Sequence, residues 1–207
     1  QIVDKYQKFL NIKFNRNKKN LGFALNAIQT LKLSTGKFAW LIGNDDLILP
    51  NTLNYFKNLY ESNKDVDYFF VNSYHLNSKY LENFSHPFNT YELKNLKLKP
   101  LSKFKENKKV NFWEVMDPKV TWEFLVSIFL CVFNRQMWLD GLDCINQKDI
   151  EDTRVWSNFD NTCFNGKVIS TVFKDKKSFI CAQPMSVNLI GEREWVSLYE
   201  FIEIVRI

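Results

Sequence analysis

The sequence predicts an α/β domain in which a mixed, mostly parallel sheet is sandwiched by helices. Strand-like apolar runs alternate with helical patterns through the first third of the chain, as they do in sheets with helical crossovers. Residues 38–42 and 66–73 are dense in apolar side chains, which is typical of strands buried on both faces. The 207 residues, 45% of them hydrophobic, suffice for one sizeable core and exclude a disordered chain.

The first third of the chain contains the clearest pattern. Gly36 is a helix stop signal, and Pro50 and Asn51 are typical of a helix start. The predicted elements are helix 2–10, strand 12–15, helix 23–33, strand 38–42, helix 51–62 and strand 66–73.

The pattern breaks down between residues 74 and 109, which predicts a long irregular excursion of the kind that is often functional. Regular elements resume after it, and Gly166 and Pro184 are interpreted as the ends of two of them. The predicted elements are a helical turn at 112–116, a strand in the second half of 125–133, helix 135–141, helix 150–165, strands 167–173 and 177–184, and helix 194–205.

The charge and cysteine content exclude some classes of function. A net charge of +5 is compatible with anionic substrates or an anionic membrane surface. The aromatic residues fall mainly in core-like runs, so nucleic acid is not an expected partner. The cysteines form no C-x-x-C pair, and no zinc site is expected. We expect Cys131, Cys144, Cys163 and Cys181 to be buried reduced thiols of a cytosolic protein.

Two adjacent acids, Asp45 and Asp46, follow the predicted strand 38–42. Ligands of open α/β sheets bind beyond the carboxyl ends of the strands. Mg²⁺ or Mn²⁺ typically takes one or two carboxylates plus substrate phosphates, and such an ion would neutralise a departing diphosphate. The alternatives are that Asp46 caps the following helix, or that both acids are solvated turn residues. Spacing alone leaves these alternatives open.

An ordered pattern surrounds the acidic pair, and it consists of Asn20, Gly22, Asn26, Gly36, Phe38, Asp45, Asp46, Pro50 and Leu53. In order and spacing this stretch resembles the family 2 glycosyltransferases. The resemblance implies a GT-A fold and transfer of a sugar from a nucleoside-diphosphate-sugar donor. It also implies that the chain is incomplete at its N-terminus, because the family's two nucleotide-contacting strands normally precede this pattern. The 207 residues by themselves are therefore expected to bind nucleotide weakly.

The resemblance implies roles for individual residues. Asp45 and Asp46 are the implied metal ligands, and Asn44 is expected near the donor ribose or sugar. The implied donor-binding set is Asn20, Gly22, Asn26, Asn44 and Asp45. One position departs from the family, because Gly43 stands where the first acid of D-x-D-D is expected. That departure leaves the contact to the donor ribose and the strength of metal binding open.

The second half is similar to the same family through four short motifs at 132–135, 141–143, 151–152 and 166–168. The resemblance implies an inverting reaction in which Asp152 is the general base for the acceptor hydroxyl, with Glu151 and Asp160 as alternates. The other interpretation is that Glu151 and Asp152 favour a helix N-terminus. Trp122, Trp138 and Trp156 are either sugar platforms or core residues, and His75 and His86 are expected at the surface.

The predicted organisation is a single domain over 1–207. Its donor- and metal-binding half is 1–73, its irregular excursion is 74–120 and its acceptor-side half is 121–207. A weaker resemblance to transferases of unusual sugars suggests bacterial lipopolysaccharide or capsule synthesis, with a glycan or lipid-linked acceptor. The expected location is cytoplasmic, with peripheral contact at the inner face of the membrane. The alternative function is a catalytically degenerate GT-A-fold binding module.

Overall fold

The computed structural model describes residues 2–84, 88–118, 120–121, 127–154 and 157–191. Trp122, Trp156, His86 and the predicted helix 194–205 lie outside the described residues. The helices are α1 (Ile2–Tyr6), α2 (Gly22–Leu33), α3 (Thr52–Glu61), α4 (Phe112–Val115), α5 (Arg135–Asp140), α6 (Gln147–Ile150) and α7 (Phe159–Phe173). The strands are β1 (Phe38–Trp40), β2 (Leu47–Ile48), β3 (Tyr68–Asn77), β4 (Lys108–Asn111), β5 (Cys131–Asn134) and β6 (Lys177–Ile190).

The described strands form one sheet in the order β1-β5-β3-β6-β2, with β4 also paired to β6. Strands β3 and β6 pair in parallel, whereas β5 is antiparallel to both of its neighbours. Strands β1, β3 and β6 therefore run in one direction. This arrangement confirms the predicted mixed α/β sheet.

Helices cover both faces of the sheet. In β3, Tyr68 and Phe70 point to the face covered by α2, α5 and α7, while Phe69 and Val71 point to the face covered by α3. All four side chains are fully buried, which confirms the predicted strand buried on both sides. Trp138 is also fully buried, and its indole N–H donates to Asn165 Oδ1 at 3.0 Å. It is a core residue and not a sugar platform.

The predictions for residues 150–173 are wrong in two respects. Gly166 does not end a helix, and residues 167–173 are not a strand, because α7 runs through both from Phe159 to Phe173. Three of its buried side chains, Phe164, Val168 and Ile169, recur at helical spacing and cover the sheet. The β-branched run favoured a strand from local preference, and burial of one helical face overrides that preference.

Strand β6 continues through Pro184, where the sequence predicted its end. The pairing shifts at this point, because Val71 lies opposite Cys181 whereas Ser73 lies opposite Ser186. Pro184 falls within the resulting bulge, where a missing N–H removes no ladder hydrogen bond.

The predicted irregular excursion is more ordered than expected. Strand β3 extends to Asn77, and short 3₁₀ helices follow at Ser78–Asn83 and Thr90–Asn95. They pack over the C-terminal halves of β3 and β6 through a small apolar cluster that includes Leu76, Leu93 and Leu189. His75, predicted at the surface, lies half-buried in β3. Residues 12–15, predicted as a strand, have no regular structure.

Two of the four cysteines are buried as predicted, and two are only half-buried. Cys131 and Cys181 are buried, whereas Cys144 and Cys163 are partly exposed. Burial raises the pKa of the Cys131 thiol to about 12. A buried thiol of this kind behaves as a small apolar side chain. Among the described helices, none has the length and apolar character needed to span a bilayer.

Candidate functional site

The acidic pair lies in a tight turn beyond β1. The backbone N–H of Asp46 donates to the Gly43 carbonyl at 3.2 Å, and the Gly43 N–H donates back to Asp46 Oδ2 at 3.1 Å. The Asn188 side-chain amide in β6 donates to Asp46 Oδ1 at 2.7 Å. Asp46 therefore closes the turn and fastens it to the sheet. The helix-capping alternative does not apply, because α3 begins only at Thr52.

The same turn leaves little room for a side chain at position 43, where the sequence has Gly43. A Cβ placed on Gly43 would lie 2.5 Å from Asp45 Oδ1 and 3.1 Å from Asp46 Oδ2. Both carboxylates therefore reach toward one point, and the absence of a side chain at position 43 leaves that space to them. An aspartate at position 43, as in the family pattern, would force the Asp45 carboxylate to move.

The donor set of this turn fits a hard divalent cation. Asp45 and Asn44 are exposed, and Asp46 is half-buried with both oxygens already accepting hydrogen bonds. The described residues contain no group of three or more His, Cys, Asp or Glu side chains that could hold a metal. An ion held here would therefore take one or two carboxylates, with Asp45 the more accessible, and complete its shell with phosphate or water.

The Asn-x-Gly motif forms the start of α2. Asn20 Oδ1 accepts a hydrogen bond from the Gly22 N–H at 2.9 Å, and Gly22 has a φ of 75°. Only glycine adopts this left-handed conformation routinely. Asn26 lies one turn further on, exposed, and accepts from the Asn17 side chain at 2.9 Å.

Gly22, in the first half of the chain, lies against the segment that contains Asp152, in the second half. A Cβ at this position would lie 3.2 Å from the Thr153 Cα and 3.6 Å from the Asp152 carbonyl oxygen. Because residues 34–37 return the chain directly from α2 to β1, the start of α2 and the end of β1 lie at one end of the sheet. The segment containing Asp152 therefore lies at the end of the sheet from which the acidic turn departs.

Asp152 is held by a neighbour that sequence reasoning missed. Arg154 Nε donates to Asp152 Oδ1 at 3.0 Å, and Arg154 Nη2 donates to Asp152 Oδ2 at 2.6 Å. This pairing and the backbone N–H of Arg154 hold the pKa of Asp152 well below its usual range. The Asp152 side chain is 23% exposed and that of Arg154 is 82% exposed. Asp152 is thus a reachable carboxylate, and its basicity rises when the guanidinium moves away.

The two alternates to Asp152 have different surroundings. Glu151 is exposed and accepts from the Gln147 side chain at 3.2 Å. Asp160 is buried and bound by the Lys167 ammonium at 2.6 Å, so it has a structural role. The helix N-terminus interpretation does not apply, because residues 151–152 follow α6 and precede α7 by six residues.

Two partners of the site differ in how visible they were in the sequence. Arg154 is two residues from Asp152, so an E-D-x-R spacing was available as a signal. Asn188 lies 142 residues from Asp46. Nothing local marks it, because only the pairing of β2 with β6 brings it to the turn.

Comparison with solved structures gives matches to S. aureus TarS. The TarS chain matches with a TM-score of 0.61 at 14% identity, covering 99% of this chain and 30% of that one. The TarS 1–349 fragment gives 0.61 at 16% identity, covering 99% and 50%. The same fragment in complex with UDP-GlcNAc gives 0.58 at 16% identity, covering 93% and 46%. The chain thus spans half or less of the matched chains, and at this identity the likeness confirms the GT-A fold.

Comparison with curated protein sequences gives no match. Residues 1–118, more than half of the chain, match the sequence profile of glycosyl transferase family 2. The matched range includes the Asn-x-Gly turn and the acidic turn described above. The chain belongs to glycosyl transferase family 2.

Proposed function

We propose that the protein is a glycosyltransferase that moves a sugar from a nucleoside-diphosphate-sugar donor to an acceptor hydroxyl with inversion. The observation that carries the proposal is the joint position of three motifs at one end of the sheet. Gly22 touches the segment of Asp152, and the return from α2 to β1 leads to the acidic turn. Family membership and a matched structure that contains UDP-GlcNAc support a nucleotide-sugar donor.

In the proposed mechanism, Asp45 and Asp46 would hold Mn²⁺ or Mg²⁺, with Asp45 the more exposed of the two. Such an ion would supply charge neutralisation for the leaving nucleoside diphosphate. Asn20, Gly22, Asn26 and Asn44 line the donor side. The exposed Asn44 amide can contact ribose or sugar hydroxyls there, and so can the Nδ2 group of Asn26, whose Oδ1 accepts from Asn17.

Asp152, with Glu151 beside it, is the proposed proton acceptor for the attacking hydroxyl. The Arg154 guanidinium must release Asp152 for this role, because the pair holds the pKa of the carboxylate too low for efficient proton uptake. The high exposure of Arg154 leaves that movement unobstructed on the solvent side. We propose that the approaching acceptor displaces the guanidinium and thereby raises the basicity of Asp152.

The proposed division of the domain follows from these roles. Residues 1–73 bind donor and metal, 121–207 serve the acceptor side, and 74–120 lie between them. The proposed setting is bacterial surface-polysaccharide synthesis, of lipopolysaccharide or capsule, on a glycan or lipid-linked acceptor. A cytoplasmic location with peripheral membrane contact suits such an acceptor, and the net charge of +5 favours an anionic surface.

A catalytically degenerate binding module is the second candidate. Two observations favour it, namely Gly43 in place of the family's first acid and the ion pair that lowers the basicity of Asp152. Such a protein would bind sugars on the same fold without transferring them.

The two candidates are separated by nucleoside-diphosphate release from a panel of UDP-, dTDP- and GDP-sugars. The full-length protein is assayed with Mn²⁺, with Mg²⁺ and with EDTA. A transferase releases the diphosphate from at least one donor, faster with metal than with EDTA, and NMR of the product gives the anomeric configuration. Absence of release from every donor, together with retained sugar binding, would favour the degenerate module.

A further inference from the structure

A cleft of about 570 Å³ lies beside the acidic turn, and the proposed chemistry does not use it. Residues 49–55, Tyr74 of β3, residues 90–98 and residues 183–185 of β6 line it. Leu49 follows Asp46 by three residues, two of which form β2. An extended chain covers about 10 Å in that distance. The cleft is thus close enough to the acidic turn to hold a more distant part of the same substrate.

The wall of the cleft that β6 contributes contains the bulge of this strand, and the buried side chain of Asn72 stabilises that bulge. Asn72, fully buried, donates through Nδ2 to the Ala182 carbonyl at 2.8 Å and to the Ser102 carbonyl at 3.1 Å. Its Oδ1 accepts from the Ser102 N–H at 3.0 Å. A buried amide is costly unless it is hydrogen-bonded, and here it replaces the ladder partner that β6 lacks at its bulge. The bulge directs Gln183 and Pro184 into the cleft.

The wall formed by residues 49–55 is hydrogen-bonded to the same bulge of β6. The Thr52 hydroxyl donates to the Met185 carbonyl at 2.7 Å, and the Leu49 N–H donates to it at 3.0 Å. Asn51 between them has a φ of 63°, an uncommon conformation for a residue other than glycine. The walls are therefore fixed before any ligand arrives, which reduces the ordering cost of binding.

The chemistry of the lining suits sugars. Three tyrosines, Tyr55, Tyr74 and Tyr91, contribute aromatic rings, and the Tyr91 side chain is half-exposed. Asn51 and Gln183 contribute amides that can both donate to and accept from hydroxyls. Aromatic faces pack against the C–H faces of sugar rings, while planar amides pair with their hydroxyls.

The charges of the lining argue against the donor as occupant. Among the described lining residues, Lys97 is the one charged side chain. A nucleoside diphosphate requires more counter-charge, which the proposed metal at the acidic turn supplies.

We propose that this cleft is an acceptor subsite that binds sugar residues of the acceptor glycan away from the reacting hydroxyl. This inference rests on the proposed function and adds the substrate class: the acceptor is an oligosaccharide or longer glycan, and a single sugar does not fill the site. Binding energy gained here holds the chain while its terminal hydroxyl reaches Asp152.

The test is binding of the protein to a printed panel of bacterial surface oligosaccharides, each present as a hexasaccharide and as its monosaccharide. The variants are Tyr91→Ala and Gln183→Ala, both at exposed positions of the cleft. The matched control is Tyr80→Ala, which removes a tyrosine of similar exposure from outside the cleft. Circular dichroism verifies that each variant is folded.

The wild-type protein and Tyr80→Ala are expected to retain at least one hexasaccharide and to bind its monosaccharide much more weakly. Tyr91→Ala should weaken binding of that hexasaccharide about tenfold, as loss of one aromatic contact does. Retention of no hexasaccharide by the wild type, or equal binding by wild type and both cleft variants, overturns the proposal. Donor hydrolysis without acceptor reports the proposed function separately, so the two ideas can fail independently.

Discussion

Replacement of Gly22 by alanine tests whether the Asn-x-Gly turn holds the Asp152 segment in place. Gly22 has a φ of 75°, and a left-handed conformation costs an alanine about 1–2 kcal/mol. The added Cβ would also lie 3.2 Å from the Thr153 Cα, so that the backbone of residue 153 must shift by a few tenths of an ångström.

The expected stability loss follows from the strain alone. For a domain of this size, 1 kcal/mol changes Tm by about 2–4 °C, so Gly22→Ala, at about 1–2 kcal/mol, should lower Tm by about 2–8 °C in differential scanning calorimetry. The backbone shift is transmitted to Asp152, and we expect kcat for sugar transfer to fall about tenfold because positioning errors are costly in catalysis.

Gly22→Asn separates the two causes. Asparagine tolerates the left-handed region better than alanine, while its Cβ makes the same contact with Thr153. This variant should therefore lose less stability than Gly22→Ala but at least as much kcat. A Gly22→Ala protein with Tm within about 1 °C of the wild type and unchanged kcat would show that this turn does not position the Asp152 segment.

Three further changes have defined outcomes. Arg154→Ala should let the pKa of Asp152 rise toward its ordinary value, so that the acidic limb of the kcat/KM profile moves to higher pH; an unchanged limb excludes Asp152 as the base. Because pairing with Arg154 lowers the pKa of Asp152, the ion pair stabilises the fold above the ordinary carboxylate pKa, and this stabilisation is lost as pH falls. The Tm of Arg154→Ala should therefore lie below that of the wild type at neutral pH, and the difference should shrink toward low pH. Asn72→Ala should cost about 3 kcal/mol, measured by urea unfolding, because buried groups lose their partners. Gly141→Ala should cost about 1–3 kcal/mol in the same assay, since its Cβ would overlap Val172 Cγ2. Wild-type stability would contradict that packing.

The part of the fold that the sequence predicted well is the part with strong local signals. Helix α2 was predicted over 23–33 and runs from Gly22 to Leu33, because its apolar face has helical spacing and Gly36 follows it. Strand β3 was predicted to residue 73 and extends to Asn77. Its extension pairs with β6 across the bulge, and that pairing is a tertiary feature.

Long-range packing decided the elements that were mispredicted. Val168 and Ile169 favour strands locally, yet they lie on the buried face of α7. Pro184 signals a strand end, yet the strand continues, and Asn72 donates a hydrogen bond to the Ala182 carbonyl at the bulge. Neither the burial of that helix face nor the hydrogen bond from Asn72 can be inferred from a short window of sequence.

In the candidate site, too, local sequence patterns identified individual residues, whereas the contacts between distant segments came only from the structure. Asp45, Asp46 and Gly22 were identified from spacing and family pattern, and the structure adds what surrounds them. The bond from Asn188 to Asp46 and the contact of Gly22 with Thr153 both join segments that are distant in sequence. Asp46, proposed together with Asp45 as a metal ligand, also organises the turn, since both of its oxygens accept hydrogen bonds there.

The most direct test of the acidic turn is Mn²⁺-dependent release of nucleoside diphosphate by Asp45→Asn, measured in the full-length protein. Asp175→Asn is the matched control, since Asp175 is an exposed acid in the turn between α7 and β6. We predict that Asp45→Asn loses the Mn²⁺-stimulated release by about 100-fold or more while Asp175→Asn retains it, because loss of a ligand removes the charge stabilisation of the leaving group. Wild-type release and Mn²⁺ dependence in Asp45→Asn would contradict the assignment of this carboxylate as a metal ligand.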